Sequence, residues 1–484
     1  MNVLLVNPPS VQPINRRFRC TYRARHFLFP PIELLLLGGV ARRVPGARAT
    51  LLDSVAEKLD AAATLERARE ASPDLVVYLA GNDTLAGDVA LGRALVERLA
   101  GRPILVAGYL PSLYPGEVLA AGAGHAVLAG EPEPAFQVLL ERLAEGPSRW
   151  AEVLERTDGV VSARAAGAAA VAVPTSGLAP EDGPLGNDLD WLPTPDYGLA
   201  RPTAYRDFFL PRPFAVLQTS RGCPFGCSYC VRPHGRRMRY RSVERVLEDV
   251  ERLAVDHGIR TVRFEDDMFT LRPERVEALC EGLLGMRRRP VWSCLSRPDT
   301  LARHLPPLMA RAGCVRVYLG IETGAPRVWS ELSRGGDPDP RAAVRALAAA
   351  GIEAAGFFLV GLPSETDDEF ASTVRLAREL ELDDIAVSTV RPYPGTGLFL
   401  SGRDNVTFNL MPFESRFSNA GAAARARERE RSLYRAFYLR PRTAARLLAR
   451  AWRAPRAVLG DSLALAGSLL ADLFVRERVR EDLL

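Results

Sequence analysis

The segment that decides how the chain is understood is Thr219-Ser-Arg-Gly-Cys-Pro-Phe-Gly-Cys-Ser-Tyr-Cys230. It places Cys223, Cys227 and Cys230 with three and then two residues between them. An apolar, strand-like segment leads directly into it, and its glycines and proline favour a tight loop over a helix. Structural zinc takes four protein ligands, and a four-iron cluster normally takes four cysteines. Three thiolates in one loop therefore predict a metal centre with one position open for a small molecule.

The composition is that of a globular protein. Apolar residues make up 47% of the 484 residues and charged residues 25%, which is enough to build the cores of roughly two or three domains. No signal peptide is expected at the amino terminus, and no apolar run is long enough to span a membrane. Seven cysteines, three of them in one loop, do not indicate a disulfide framework. We therefore expect a reducing, cytoplasmic location.

The net charge of +5 is concentrated at the carboxyl end, because residues 421–484 carry 14 arginines against seven acidic residues. The remainder is slightly negative, so no nucleic-acid partner is expected. Residues 421–484 are predicted to be helical, and two interpretations are open. The favoured one is a helical cap that closes the neighbouring domain. The other is a basic amphipathic surface that contacts an anionic membrane or a lipid-like substrate.

Residues 1–145 alternate short apolar strands with helices, which predicts a parallel, doubly wound sheet. Ligands of such sheets bind beyond the carboxyl ends of the strands, so the loops there are candidate contacts. Asp83 or Thr84 is expected to cap the helix after the third strand. The four candidate loops are Asn7-Pro8-Pro9, Gly81-Asn82-Asp83-Thr84, Gly108-Tyr109-Leu110-Pro111 and Gly130-Glu131.

Residues 146–212 are interpreted as a connector, residues 213–400 as a second α/β domain and residues 401–484 as a carboxyl-terminal helical region. Six strands with helices between them, within 213–400, predict a partial parallel barrel of (β/α)6 type, whose active residues lie at the strand ends. The candidates after the second to fifth strands are Glu265, Asp266 and Asp267, then Arg297, then Glu322, and then Gly361 and Pro363.

Each of these side chains has a chemical reason to be considered. Three adjacent carboxylates repel each other unless a cation lies among them. Arg297 offers a guanidinium that matches a carboxylate in a bidentate way. Glu322 can accept hydrogen bonds from hydroxyl groups, and Gly361 allows a flat ligand to approach the backbone closely. Taken singly, each residue could equally be a helix cap or part of a surface salt bridge. The cysteines alone could form a zinc site with a fourth ligand such as His234.

The order Cys-x-x-x-Cys-x-aromatic-Cys after a short strand resembles the cluster motif of the radical S-adenosylmethionine (SAM) superfamily. The resemblance implies a four-iron, four-sulfur cluster on Cys223, Cys227 and Cys230, with SAM bound at the open iron. It also implies that an external low-potential donor, such as flavodoxin or ferredoxin, reduces the cluster and that SAM is cleaved to a 5′-deoxyadenosyl radical. The implied SAM contacts are Tyr229, Glu265, Asp266, Asp267, Arg297, Glu322, Gly361 and Pro363.

Residues 1–145 resemble the cobalamin-binding domain that accompanies many radical SAM enzymes, through the opening Asn-Pro-Pro and the later Gly-Glu-Pro-Glu. The implied cobalamin contacts are Asn7, Pro8, Gly81, Thr84, Gly108, Tyr109, Gly130 and Glu131. The sequence lacks Asp-x-His-x-x-Gly, which implies cobalamin bound without a histidine ligand. A domain that kept this fold and lost cobalamin is an alternative. A plain nucleotide-binding domain is weaker, since no Gly-x-Gly-x-x-Gly follows the first strand.

The resemblance implies an enzyme that methylates an unactivated carbon of a small biosynthetic intermediate, with cobalamin as the methyl carrier. A cobalamin-dependent cyclase or ring-rearranging enzyme without methyl transfer is the second reading. A cluster-bearing redox protein or a zinc-binding interaction protein is the third, and it leaves the strand-end carboxylates unexplained. The sequence assigns neither a substrate nor a catalytic residue.

Overall fold

The computed structural model describes residues 1–12, 14–17, 20–23, 27–146, 149–166, 189–207, 210–332, 335–336, 339–419, 421–441 and 443. The contacts within the chain divide it into two compact units. The first unit is Met1–Cys223 with Val231–Arg260 and Asn409–Glu414. The second unit is Pro224–Cys230 with Thr261–Phe408 and the described residues from Ser415 onward.

The first unit contains thirteen short strands and nine helices among the described residues. The strands are β1 (Asn2–Asn7), β2 (Ile14–Arg17), β3 (Cys20–Arg23), β4 (Phe27–Leu28), β5 (Arg48–Asp53), β6 (Leu75–Leu79), β7 (Ile104–Ala107), β8 (Ala126–Leu128), β9 (Val160–Ser162), β10 (Arg206–Asp207), β11 (Phe214–Leu217), β12 (Ser220–Arg221) and β13 (Arg239–Tyr240). The helices are α1 (Ile32–Ala41), α2 (Ala61–Glu70), α3 (Leu85–Arg98), α4 (Tyr109–Leu113), α5 (Pro115–Ala120), α6 (Pro132–Glu145), α7 (Trp150–Glu155), α8 (Ala163–Ala166) and α9 (Val243–Asp256).

The main sheet of the first unit has the strand order β5-β1-β6-β7-β8-β9. Strands β5, β1, β6, β7 and β8 are parallel, which confirms the predicted doubly wound sheet. Strand β9 pairs antiparallel with β8 at the sheet edge, a pairing that the sequence analysis did not predict. The strand order reverses between β1 and β6. Sheets of this type bind ligands at that reversal, beyond the carboxyl ends of the strands.

Both faces of this sheet are covered, which explains why its strands are apolar without alternation. Val3 and Leu5 of β1 belong to the apolar layer that includes α1 and α6. Leu4 and Val6 belong to the opposite layer, with residues of α3 and α4. Met411, in the part of the chain that returns to this unit, packs against that second layer. The strand β1 is therefore buried on both faces, and its own polar residues, Asn2 and Asn7, are the first and last of the strand.

The chain from Thr261 onward contains strands β14 (Thr261–Phe264), β15 (Val291–Ser296), β16 (Cys314–Glu322), β17 (Glu353–Val360), β18 (Asp384–Thr389), β19 (Val406–Asn409) and β20 (Glu414–Phe417). Its helices are α10 (Pro273–Leu284), α11 (Leu305–Arg311), α12 (Pro326–Glu331), α13 (Arg341–Ala349), α14 (Asp367–Glu379), α15 (Gly397–Ser401) and α16 (Ala422–Tyr438). Strands β14 to β18 pair in sequence order, all parallel. With β11, they occupy the six strand positions predicted for the barrel.

Parts of two predicted regions lie outside the described residues. They are 167–188 of the connector and 444–484 of the carboxyl-terminal region. The prediction that 401–484 is helical is wrong for 406–417, where β19 and β20 pair with each other, whereas Ala422–Tyr438 form helix α16. Among the described helices, none is both long enough and apolar enough to cross a membrane.

Candidate active site

The loop after β1 is held by a buried ion pair that the sequence analysis did not identify. Arg16 of β2 contacts Asp88 of α3 at 2.7 Å, and both side chains are almost completely buried. The same guanidinium donates to Asn7 Oδ1 at 3.2 Å and to the carbonyl oxygens of Pro8 and Pro9 at 2.5 and 3.1 Å. The predicted contacts Asn7 and Pro8 are therefore fixed at the strand end by Arg16.

Asp88 also organises the loop after β6. It accepts hydrogen bonds from Gly81 N at 2.9 Å and from Thr84 Oγ1 at 2.7 Å. Thr84 precedes the first residue of α3, but its side chain makes no capping bond to the helix backbone. The prediction that the Thr84 side chain caps this helix is therefore wrong, because its hydroxyl donates to Asp88 instead, and the capping by Asp83 stays a prediction.

The loops after β7 and β8 are joined through a serine. The sequence predicts a loop after Gly108, but helix α4 begins at Tyr109. Gly108 has φ +152°, and a Cβ there would lie 2.5 Å from the Ala80 carbonyl oxygen, so this turn requires glycine. Ser112 Oγ donates to Gly108 O at 2.7 Å and accepts from Gly130 N at 3.2 Å. Tyr109 is buried in the apolar layer below.

Asp53, at the carboxyl end of β5, lies beside Asn7 in this group. Asn7 Nδ2 and Tyr205 Oη each donate to its carboxylate at 2.8 Å. Burial raises the pKa of Asp53 above its ordinary value, although the hydrogen bonds from Ala56, Tyr205 and Asn7 act in the opposite direction. Asp53 is thus a buried carboxyl group that accepts hydrogen bonds from Asn7, Ala56 and Tyr205.

Glu131 and Glu133, which follow β8, have arginine partners from residues that flank the cysteines. Arg239 donates to both oxygens of Glu131 at 2.8 and 2.5 Å, and His234 Nδ1 lies 2.8 Å from Oε1 of the same carboxylate. Arg221 donates to both oxygens of Glu133 at 3.2 and 2.5 Å. Burial alone would raise the pKa of Glu131, but the charge of Arg221 and the bonds from His234 and Arg239 hold it well below its ordinary value.

The cysteine loop is anchored at its beginning by backbone contacts. Cys223 N donates to Gly235 O at 3.2 Å. Gly222 has φ +96°, and a Cβ there would lie 2.1 Å from Arg237 O, so the backbone approach requires glycine. Cys230 N donates to Cys227 O at 3.3 Å, and the three cysteines form no disulfide bond, with Cys227 buried. In the described part of the chain, no three His, Cys, Asp or Glu side chains are grouped so that they could hold a single metal ion.

Arg297, after β15, is the basic residue beside this loop. Its Nη1 lies 3.9 Å from Cys227 Sγ, and its guanidinium stacks 3.8 Å from the centre of the Phe225 ring. It also donates to both oxygens of Asp299 at 2.8 and 2.6 Å and to Gly335 O at 3.0 Å. The structure thus brings the predicted carboxylate ligand Arg297 to a predicted cluster cysteine, and Asp299 already pairs with it.

The three carboxylates after β14 differ in their surroundings. Glu265 accepts from Arg263 Nε at 2.5 Å, and both side chains are buried. The guanidinium of Arg263 also lies 4.2 Å from the centre of the Tyr318 ring. Asp266 is 1% exposed, whereas Asp267 is half-buried. A buried arginine therefore compensates the first carboxylate from within the protein.

Glu322 and Gly361 both have unusual backbone conformations at strand ends. Glu322 is buried and has φ +65°, which is uncommon for a side chain other than glycine or asparagine. Such strain often marks a functional site, because the surrounding fold must hold it. Gly361 has φ +86°, and a Cβ there would lie 2.4 Å from the Ala426 Cβ of α16. Close packing against α16 therefore explains why residue 361 is a glycine, and the contact of Gly361 with SAM stays a prediction.

Tyr229 and Pro363 complete the predicted SAM contacts. Tyr229 packs against the apolar cluster that contains Leu362 and Val390. Pro363 follows Leu362 directly and is half-buried. In the second unit, Tyr229 and the segment after β17 therefore lie close together, as both positions of one ligand site require.

The donor set at the cysteine loop fits an iron–sulfur cluster. Its three cysteines lie on one loop and form no disulfide bond. Thiolates are the ligands that hold such clusters.

The radical SAM superfamily model matches residues 217–377, a range that contains the cysteine loop and strands β14 to β17. The chain therefore carries a radical SAM domain over these residues. Such a domain implies a four-iron, four-sulfur cluster and SAM. The fold and the site thus define the class of protein that the cysteine spacing predicted.

Two curated relatives extend over most of the chain. An uncharacterised methyltransferase of Pyrococcus horikoshii is 28% identical and covers 82% of this chain and 82% of its own length. The anaerobic magnesium-protoporphyrin IX monomethyl ester cyclase of Cereibacter sphaeroides is 25% identical over 78% of this chain and 61% of that protein. The chain is similar to both, although one is named as a methyltransferase and the other as a cyclase.

Two solved structures share the architecture. The cobalamin-dependent SAM radical enzyme OxsB, solved with aqua-cobalamin and SAM, matches with a TM-score of 0.67 and 15% identity, over 98% of this chain and 72% of that chain. The radical SAM methyltransferase TsrM from Kitasatospora setae, solved with tryptophan and a SAM analogue, matches with a TM-score of 0.60 and 20% identity, over 83% and 76%. The chain therefore has the fold of cobalamin-dependent radical SAM enzymes, which confirms the predicted fold class.

The sequence analysis missed Arg16, Asp88, Arg221 and Arg239 as parts of the strand-end arrangement. Arginine is so abundant in this chain that its presence near a motif carries little information. Asp88 is the one residue of this group that the sequence could have marked, because it is an acidic side chain on an otherwise apolar face of α3. The structure shows that it is almost completely buried. A buried carboxylate of that kind requires a partner.

Proposed function

We propose that this protein is a cobalamin-dependent radical SAM enzyme that methylates an unactivated carbon of a small biosynthetic intermediate. The observation that carries the proposal is the position of Arg297, which lies 3.9 Å from Cys227 Sγ on a radical SAM domain. A guanidinium at that place can bind the carboxylate of SAM, at the same end of the molecule that reaches the open iron.

In this proposal, Cys223, Cys227 and Cys230 hold the cluster and leave one iron open. Arg297 binds the SAM carboxylate, and Asp266 and Asp267 accept from its ammonium group. Glu322 accepts from ribose hydroxyls, and the segment around Gly361 borders the adenine. When bound, the cluster supplies the electron that cleaves SAM and cobalamin supplies the methyl group. The protein's own part is to bind, orient and exclude water.

The strand-end loops of the first unit support the binding of cobalamin, without a histidine ligand because the sequence lacks Asp-x-His-x-x-Gly. Asn7, Gly81, Thr84 and Gly130 bond to side chains of this unit, which fixes the loops at the carboxyl ends of the strands. Ligands of such sheets bind beyond those ends. The likeness to OxsB over nearly the whole chain favours a corrinoid at these loops.

The partners of the proposed reaction are a small-molecule substrate and an external low-potential electron donor, as radical SAM chemistry requires. The test is anaerobic reconstitution with iron and sulfide, followed by SAM and a reductant, with 5′-deoxyadenosine as the product measured. The variants C223A, C227A and C230A should form none. Protein from cobalamin-replete cells should show corrinoid absorbance bands. A fully loaded protein that forms no 5′-deoxyadenosine would refute the enzymatic proposal.

A cyclase without methyl transfer is the second candidate, because one relative over most of the chain is an anaerobic cyclase. The two candidates differ in what happens to SAM. Methyl transfer to cobalamin converts a second SAM to S-adenosylhomocysteine, whereas cyclisation yields 5′-deoxyadenosine alone. Formation of both products in a one-to-one ratio during turnover supports the methyltransferase, and 5′-deoxyadenosine without S-adenosylhomocysteine supports the cyclase.

A further inference from the structure

Strands β12 and β13, which flank the cysteine loop in sequence, form a two-stranded ladder in which two like charges face each other. Strands β12 and β13 pair antiparallel, with Arg221 directly opposite Arg239. Both arginines are buried, with side chains 2% and 6% exposed. Like charges opposite each other destabilise an antiparallel pair, and burial makes the repulsion stronger because water no longer screens it. The ladder therefore requires compensating charge.

The compensation comes from the loop after β8. Glu131 accepts from Arg239 in a bidentate way, and Glu133 accepts in the same way from Arg221. Arg221 also lies 3.6 Å from Glu131, so the two pairs form one network. Glu133 is 1% exposed, so Arg221 cannot exchange this partner for water at low cost.

The same network holds the chain that follows the cysteines. His234 Nδ1 bonds to Glu131, and the His234 carbonyl oxygen accepts from Arg239 at 3.3 Å. One residue further on, the carbonyl oxygen of Gly235 accepts from Cys223 N. The carboxylates after β8 are thus linked to the backbone of Cys223 through His234 and its neighbour.

From these contacts we propose that Glu131 and Glu133 are positioning residues for the cluster loop, which they hold closed by neutralising Arg221 and Arg239. The inference goes beyond the proposed function and rests on it only in taking Cys223 as a cluster ligand. It gives the side chains of Glu131 and Glu133 a role toward the cluster in place of contact with a corrinoid. Loss of either carboxylate leaves two buried guanidinium groups with a single carboxylate between them, and the ladder that sets the position of Cys223 opens.

The test compares cluster retention with global stability. E131Q and E133Q are reconstituted anaerobically, and the release of iron to a chelator is followed, together with urea unfolding and the electron paramagnetic resonance spectrum of the reduced protein with and without SAM. We expect E131Q to lose iron roughly tenfold faster than wild type, the lower end for partners that orient metal ligands. The spectral change caused by SAM should become smaller and broader.

The matched control is D384N, which removes one partner of the buried Arg316 in the second unit. It should lower the urea midpoint about as much as E131Q but leave iron release at the wild-type rate. The double variant E131Q/R239Q provides a second, independent measurement, because removing one arginine together with its partner relieves the repulsion. It should release iron more slowly than E131Q alone.

Equal iron release by E131Q and D384N, or by E131Q/R239Q and E131Q, would overturn the inference, since the carboxylates would then act on stability alone. Failure of the wild-type protein to assemble a cluster under the same conditions is a separate result. That result would refute the proposed function at Cys223, Cys227 and Cys230, and with it the role of the two glutamates.

Discussion

The strand ends of the two parallel sheets carry similar residues but pair them differently. In the first unit, the pairs join residues far apart in sequence: Arg16 with Asp88, 72 positions away, and Arg239 with Glu131, 108 positions away. After β15 in the second unit, Arg297 pairs with Asp299 only two positions away. The first arrangement fixes loops to each other, whereas Arg297 and Asp299 belong to one strand end. A ligand can therefore replace Asp299 as the partner of Arg297 with less disturbance of the fold.

The largest expected effect is on the distant pairing. D88N leaves Arg16 charged and buried, so we expect a loss of about 3–5 kcal/mol in the free energy of unfolding, measured by urea denaturation of the apo-protein. Replacing both partners by apolar residues, in R16M/D88L, should recover much of the loss. E66Q, at an ion pair whose side chains are 52% and 42% exposed, is the control and should move the midpoint far less. A D88N protein as stable as wild type would remove the contrast between the two units.

The local pairing is tested by separating SAM binding from stability. R297Q should raise the KM for SAM about 10- to 100-fold, because a charge-assisted hydrogen bond contributes about 1.5–3 kcal/mol. D299N keeps the guanidinium and should leave the KM for SAM within about threefold of wild type, less than one such bond. A larger effect of D299N than of R297Q would show that the pair is structural and that Arg297 does not bind the SAM carboxylate.

Gly361 distinguishes a packing role from a ligand role within the second unit. G361A places a Cβ against Ala426 in a left-handed backbone conformation, and should cost about 1–3 kcal/mol of unfolding free energy. The double variant G361A/A426G should be less destabilised than the sum of the single variants, as measured by urea denaturation. An unchanged stability together with a raised KM for SAM would instead support close approach of the adenine.

The smallest expected effects concern pH, where two carboxylates of the first unit should act in opposite directions. The pKa of Glu131 is lowered by folding, so its stabilisation is present above its ordinary value of 4.5 and is lost as the pH falls below it. The pKa of Asp53 is raised, so its contribution is largest below its ordinary value of 3.8 and is lost as the pH rises through the folded-state value. Each slope is at most about 1.4 kcal/mol per pH unit.

The measurement is the urea midpoint of the apo-protein between about pH 3 and 7. E131Q should flatten the loss of stability on acidification, and D53N should remove the loss that accompanies rising pH. Slopes that change in the same direction in both variants would contradict the opposite surroundings of these two groups.

Local pattern predicted most of the fold. The apolar runs of β1 and β6 are buried on both faces, and a run of this kind reads as a strand of a parallel sheet without further information. The sequence did not predict helix α4 or the pairing of β9 at the edge of the sheet. Helix α4 depends on Gly108 turning the chain against Ala80, and β9 depends on an edge left open by β8. Both are consequences of neighbours distant in sequence.

By itself, the sequence determined the class of chemistry, because three cysteines within eight positions and charged residues at successive strand ends are local patterns. Only the tertiary structure decided which charges those residues meet. Arg16, Arg221 and Arg239 are three of the chain's many arginines, and nothing in their immediate surroundings marks them. The physical reason is that a buried charge is satisfied by whichever opposite charge the fold brings within hydrogen-bond distance. For these three arginines that partner lies 72 to 108 positions away.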